Sequence, residues 1–106
     1  MAMTPMEFES YDSDTITTGI ANASGTLRFY KKNGMVTLIV DVSPSSSSNI
    51  TFTIPEKYRP ITGIYHQYYY NTQNVYLYFY NTGAATIIHT NTNDVLTTVS
   101  YVGNDL

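Results

Sequence analysis

Thr26-Leu27-Arg28-Phe29-Tyr30-Lys31-Lys32-Asn33-Gly34-Met35-Val36-Thr37-Leu38-Ile39-Val40-Asp41-Val42-Ser43 is two alternating runs around an Asn-Gly pair. Asn-Gly is the strongest two-residue hairpin signal, because both central residues of a type I′ turn need positive φ. That turn sets the register: Phe29 faces Leu38, Leu27 faces Val40 and Lys31 faces Val36. Val42 continues the apolar face. Arg28, Tyr30, Thr37, Ile39 and Asp41 form the other. One face belongs in a core and the other in water or on a neighbouring subunit.

The same period of two recurs outward in both directions, and no stretch has a helical period. Thr15–Ile20 reads as a weak strand, and Ile50, Phe52 and Ile54 as a short inward-facing one. Pro44-Ser45-Ser46-Ser47-Ser48-Asn49 between them is a loop, either a solvated connector or a ligand contact. Ile61–Tyr70 and Asn74–Tyr80 flank a turn within 71–74, in a register pairing Tyr65 with Tyr80, Gln67 with Tyr78 and Tyr69 with Tyr76. Ile64, His66, Tyr68 and Tyr70 then share a face with Val75, Leu77 and Phe79. Tyr65, Gln67, Tyr69, Tyr76, Tyr78 and Tyr80 share the other. Ala85–His89 is a further strand of open parity. The last strand, Val95–Val102, buries either Val95, Val99 and Tyr101 or Leu96, Thr98 and Val102. About eight strands with frequent turns predict an antiparallel β-sandwich or jelly-roll-like barrel.

Ile54-Pro55-Glu56-Lys57-Tyr58-Arg59-Pro60 is a stiff connector between two of these strands. Both prolines fix φ and lack an N–H, so neither fits a central ladder. Each drives the residue before it towards extended geometry. Tyr58 is expected to lay its ring on the core with its hydroxyl in water.

The 106 residues make one domain by length, expected over 15–106, with 1–14 as an N-terminal linker or docking segment of a C-terminal fragment or small subunit. Glu7, Glu9, Asp12 and Asp14 cluster there as a solvated segment or a calcium site, although no Asp-x-Asp-x-Asp-Gly loop accompanies them. Only 12% of residues are charged and the net charge is −3, which argues against nucleic acid as a partner. No apolar run reaches bilayer-spanning length, so membrane insertion is not expected. Without cysteine there is neither a disulfide framework nor a thiolate metal site.

Catalytic patterns are missing: no Gly-x-Ser-x-Gly, no His-x-x-Glu-His, no phosphate loop. Asp41 and Glu56 could in principle pair as glycosidase carboxylates, but nothing in the sequence brings them together. His66 and His89 read as structural or interface residues. The expectation is no catalytic residue, no metal and no cofactor.

Tyrosine is the conspicuous residue, 11 of 106 with no tryptophan, and most lie within 65–80. An aromatic ring rests against the C–H face of a pyranose, and Asn, Gln, Ser and Thr match sugar hydroxyls without a desolvated charge. A cross-strand aromatic pair also stabilises a sheet by ~0.2–1 kcal/mol, and such a face equally suits a subunit interface.

A strand, then Ile-Pro-Glu-x-Tyr-Arg-Pro, then a hairpin resembles the C-terminal head domains of receptor-binding and minor structural proteins on tails and baseplates of phages infecting Gram-positive bacteria. Ile54, Pro55, Glu56, Tyr58, Arg59 and Pro60 carry the match, with Lys57 where that family often has Gly. The resemblance covers roughly residues 20–102. It implies a homotrimeric head in the virion, outside the host cell. Its partners would be other tail or baseplate subunits and a host cell-wall saccharide or teichoic acid, with avidity from repeated weak sites. A trimerising or capping module of a tail fibre, or a carbohydrate-binding module of a secreted or prophage protein, is the alternative. The resemblance supplies no sugar-binding residues one by one. The candidate ligand site, Tyr65, Gln67, Tyr69, Tyr76, Tyr78 and Tyr80, therefore rests on the tyrosine argument.

Overall fold

A computed structural model describes residues 12–106. β1 (Asp12–Ile16), β2 (Ala23–Lys32), β3 (Met35–Pro44) and β8 (Val95–Val102) form one antiparallel sheet in the order β1-β2-β3-β8. β4 (Ile50–Thr53), β5 (Ile64–Tyr70), β6 (Gln73–Phe79) and β7 (Ala84–His89) form the second, in the order β4-β7-β6-β5. A 3-10 turn, Glu56–Tyr58, lies between β4 and β5. The chain is therefore all-β with two open four-stranded sheets. Among the described residues no barrel closes, and the strand order is not that of a jelly roll. Two-residue turns keep β2 beside β3 and β5 beside β6, so each of these hairpins stays within one sheet.

The core lies between the sheets. Leu27, Phe29, Leu38, Val40 and Val42 meet Ile50, Val75, Leu77, Phe79 and Ile87, all essentially inaccessible to water. The two open parities are settled by the same burial: Ala85, Ile87 and His89 face in from β7, and Val95, Val99 and Tyr101 face in from β8.

The β2–β3 register is the one that Asn33-Gly34 dictates, with Phe29 opposite Leu38 and Leu27 opposite Val40. The expected strand at 15–20 instead runs Asp12–Ile16, paired with Lys31–Leu27 of β2. Gly19, at φ 75°, then turns the chain away, and Ala21 bridges to Thr51 of the other sheet. Asp12 and Asp14 thus belong to the sheet, while the rest of the anticipated terminal segment, with Glu7 and Glu9, lies outside the described residues.

The β5–β6 hairpin corrects the expected register by two residues. Its turn is Asn71-Thr72, so Tyr65 pairs with Tyr78, Gln67 with Tyr76 and Tyr69 with Asn74. A slip of two preserves which face each side chain takes. The unexpected member is Thr72, a β-branched residue at φ 60° beside Asn71 at φ 56°. Left-handed backbone is costly for such a residue. Asn93 holds it, donating through Nδ2 to Asn71 O at 2.9 Å and to Thr72 Oγ1 at 3.1 Å. Asn91 Nδ2 donates to Thr72 O at 3.2 Å. Thr72→Gly is expected to raise stability by about 0.5–1 kcal/mol in urea melts, because relief of strain outweighs the added freedom of the unfolded chain. A loss of stability would show that the Asn93 contact outweighs the strain.

Candidate functional site

The connector between β4 and β5 is the first place to look, and it is occupied with holding the fold. Every carbonyl from Ile54 to Arg59 has a partner, although only Ile54 and Tyr58 of these residues are buried. Ile54 O accepts from Arg59 Nε at 2.9 Å. Pro55 O accepts from Tyr58 N, and Glu56 O from Arg59 N and Asn104 Nδ2. Lys57 O takes the Lys31 ammonium at 2.9 Å, Tyr58 O the Tyr101 hydroxyl at 2.6 Å, and Arg59 O the Asn104 N–H at 3.1 Å. Pro60 bridges to Gly103, which ties the connector to the end of β8.

Tyr58 departs from expectation. It is completely buried, its ring stacks on Phe29 at 5.1 Å, and its hydroxyl donates to Asp14 Oδ2 at 2.7 Å instead of meeting water. The partner comes from β1, far away in sequence, which is why the local motif did not reveal it.

Burial holds the Tyr58 phenol well above its ordinary value near 10, and the bond to Asp14 and the charges of Asp14 and Asp12 add to this. Burial likewise raises Tyr101 and pushes Tyr68 up to about 12. Between pH 10 and these higher values the folded protein keeps protons that the unfolded chain releases. Stability from this source is therefore full below pH 10 and falls as pH rises beyond it, by at most ~1.4 kcal/mol per pH unit for each phenol. Alkaline titration followed by circular dichroism should show unfolding that steepens above pH 10. Tyr101→Phe should flatten that slope.

The outer face of the second sheet is different in kind. Tyr65, Gln67, Tyr69, Tyr76, Tyr78 and Tyr80 all lie on it, as alternation requires. Tyr65 and Tyr78 contact one another at 4.7 Å between ring centroids, tilted by 43°. The Tyr65 hydroxyl donates to Gln67 Oε1 at 3.2 Å. Gln67 pairs with Tyr76 alongside. Tyr69 stands at the hairpin tip and is 68% exposed, while Tyr80, 48% exposed, lies just past β6 at the opposite end. The six residues thus run the length of one hairpin, with Tyr65, Gln67, Tyr76 and Tyr78 in mutual contact or register and Tyr69 and Tyr80 flanking them.

Beside this ridge the face drops. A shallow groove of about 290 Å³ is lined by Gly19, Ala21, Thr51, Thr53, Ala84 and Thr86 with adjoining backbone. Thr86 is the cross-strand neighbour of Tyr78 on one side and of Thr51 on the other, so ridge and groove share one row of the sheet. Sequence reading missed the groove. Small residues carry no periodic signal, and the wall at 19–21 arrives only because Gly19 turns the chain onto β4.

Neither histidine takes part. His89 is buried, its Nδ1 lying 2.6 Å from Asn91 O and its Nε2 2.9 Å from Ser48 O, so it joins two loops. His66 shares the Ile64–Tyr68 side of β5, its ring 6.0 Å from that of Tyr68, but on this edge strand only Ile64 and Tyr68 are partly buried, and His66 and Tyr70 of the expected core face are exposed. Among the described residues no three His, Asp or Glu side chains gather as metal ligands.

Fold and surface together define a two-sheet β-domain with an aromatic and hydroxyl-bearing outer face. No family model, no characterised protein and no solved structure matches the chain.

Proposed function

We propose that this chain is a non-catalytic host-recognition module of a phage tail or baseplate, a homotrimer that binds glycans on the cell surface. The observation that carries the reading is the single outer face bearing Tyr65, Tyr69, Tyr76, Tyr78 and Tyr80 with Gln67. Partly exposed rings offer flat apolar contact for a pyranose, and the amide and phenol groups offer neutral hydrogen bonds. The Ile-Pro-Glu-x-Tyr-Arg-Pro connector supports the phage part of the reading by resemblance, with a clamping role for Ile54, Pro55, Glu56, Tyr58, Arg59 and Pro60. Other tail subunits are the expected partners and the virion the expected location.

A structural trimerising or capping module is the second reading, because exposed aromatics on a weakly charged surface also suit a subunit interface. Sedimentation and cell-wall pull-down of Tyr69→Ala/Tyr78→Ala against wild type separate the two. An intact trimer with binding lost upholds recognition. Dissociation of the trimer by the same change upholds the structural role. A wild-type monomer without wall affinity overturns both.

A further inference from the structure

We propose that the ligand of this face is a neutral oligosaccharide that lies across the strands of the second sheet, from the Tyr65–Tyr78 pair into the adjoining groove. This rests on reading the tyrosine face as a glycan site and narrows it to a ligand class and a path.

The path follows the row of cross-strand partners. Tyr65 pairs with Tyr78, Tyr78 with Thr86, Thr86 with Thr51, and Thr51 with Ala21. Neighbouring strands lie ~4.8 Å apart, so the row spans roughly 19 Å, the reach of an extended oligosaccharide of several units. Its two halves offer different chemistry. On β5 and β6 the rings present flat apolar surface. On β7 and β4 the floor is low, because Ala84, Ala21 and Gly19 leave space. At ~300 Å³ the groove is at the small end of ligand sites, suited to one or two sugar rings. The hydroxyls of Thr51, Thr53 and Thr86 make no side-chain hydrogen bond among the described residues. A threonine hydroxyl both donates and accepts, as a sugar hydroxyl does.

The charge distribution decides the class. β4, β5, β6 and β7 contain no Asp, Glu, Lys or Arg. A phosphodiester polymer needs cationic donors, and none of the five cations of the chain lines the groove or belongs to these strands. Arg28, Lys31 and Lys32 belong to β2, with Lys31 buried against four oxygen atoms. Lys57 lies 4.0 Å from Asp12, and Arg59, the cation beside Gly83, gives its Nε to Ile54 O and does not line the groove. A teichoic acid would leave its phosphates unpaired on this face, whereas a neutral glycan leaves nothing unpaired.

Calorimetric titration with neutral gluco-, galacto- and rhamno-oligosaccharides and with poly(glycerol phosphate), at low and high salt, tests the inference. The expected result is binding of a neutral probe, unchanged by salt, with affinity rising with chain length. Ala84→Leu fills the groove from an exposed position and should weaken binding by ~10-fold or more without lowering the melting temperature. Thr86→Val, which removes one hydroxyl at constant volume, should weaken it several-fold. Undiminished binding by both variants would overturn the path through the groove. Binding of poly(glycerol phosphate) alone, falling with salt, would overturn the neutral class. If Tyr69→Ala/Tyr78→Ala abolished that binding, the tyrosine face would still stand as the site. Failure of every probe would overturn the face and the inference together.

Discussion

Gly25→Ala should lower the unfolding free energy by about 3 kcal/mol or more, read as a shifted midpoint in urea melts. Gly25 sits in β2 at φ 136°, a conformation that side-chain-bearing residues rarely adopt. A Cβ built there would lie 2.2 Å from Asp41 O and 2.8 Å from Val42 Cα, both backbone atoms of the adjoining strand. No side chain can swing away to make room. β2 and β3 must separate locally, and Gly25 opposite Val42 lies in the stretch that brings Leu27 and Val40 into the core. A loss under about 1 kcal/mol would mean that this end of the hairpin yields far more readily than a ladder should.

Lys31→Met should cost about 2–3 kcal/mol, since bonds from a charged donor are worth more than neutral ones and their acceptors are left behind. The ammonium touches Lys57 O at 2.9 Å, Asn104 O at 2.9 Å, Asn104 Oδ1 at 3.2 Å and Leu106 O at 2.7 Å. It therefore ties β2, the connector and residues 104–106 together. Hydrogen exchange should rise at Asn104 and Leu106 before it rises in the β-ladders. Lys31→Arg should restore little, because a planar fork cannot aim at four oxygens around a compact point charge. Full recovery by Arg would show that charge alone, not geometry, holds the junction.

Lys31 also shows where sequence reading stops. Its position opposite Val36 on the apolar face follows from the Asn33-Gly34 register. What makes burial tolerable is a set of acceptors far along the chain, and no local pattern announces them. Tyr58 repeats the lesson through Asp14. The second hairpin failed for a different reason. Asn-Thr is a poor type I′ turn by propensity, and bonds from Asn91 and Asn93 in the loop before β8, with the Thr72 hydroxyl on Asn71 O, hold it in place. Its face assignment survived because the error was even-numbered, so the six candidate residues kept a common face while their partners changed. The groove needed three segments at once, 19–21, β4 and β7, and so was legible only in three dimensions.

The uncharged second sheet has a consequence for digestion. A trypsin-like protease requires Lys or Arg to fill its specificity pocket. Nothing from Pro60 to Leu106 supplies one, and Arg59 is followed by proline. That half of the chain would therefore pass through such a protease uncut even while unfolded. Its endurance would depend on side-chain chemistry as well as on the fold, a useful property for any surface exposed to secreted enzymes.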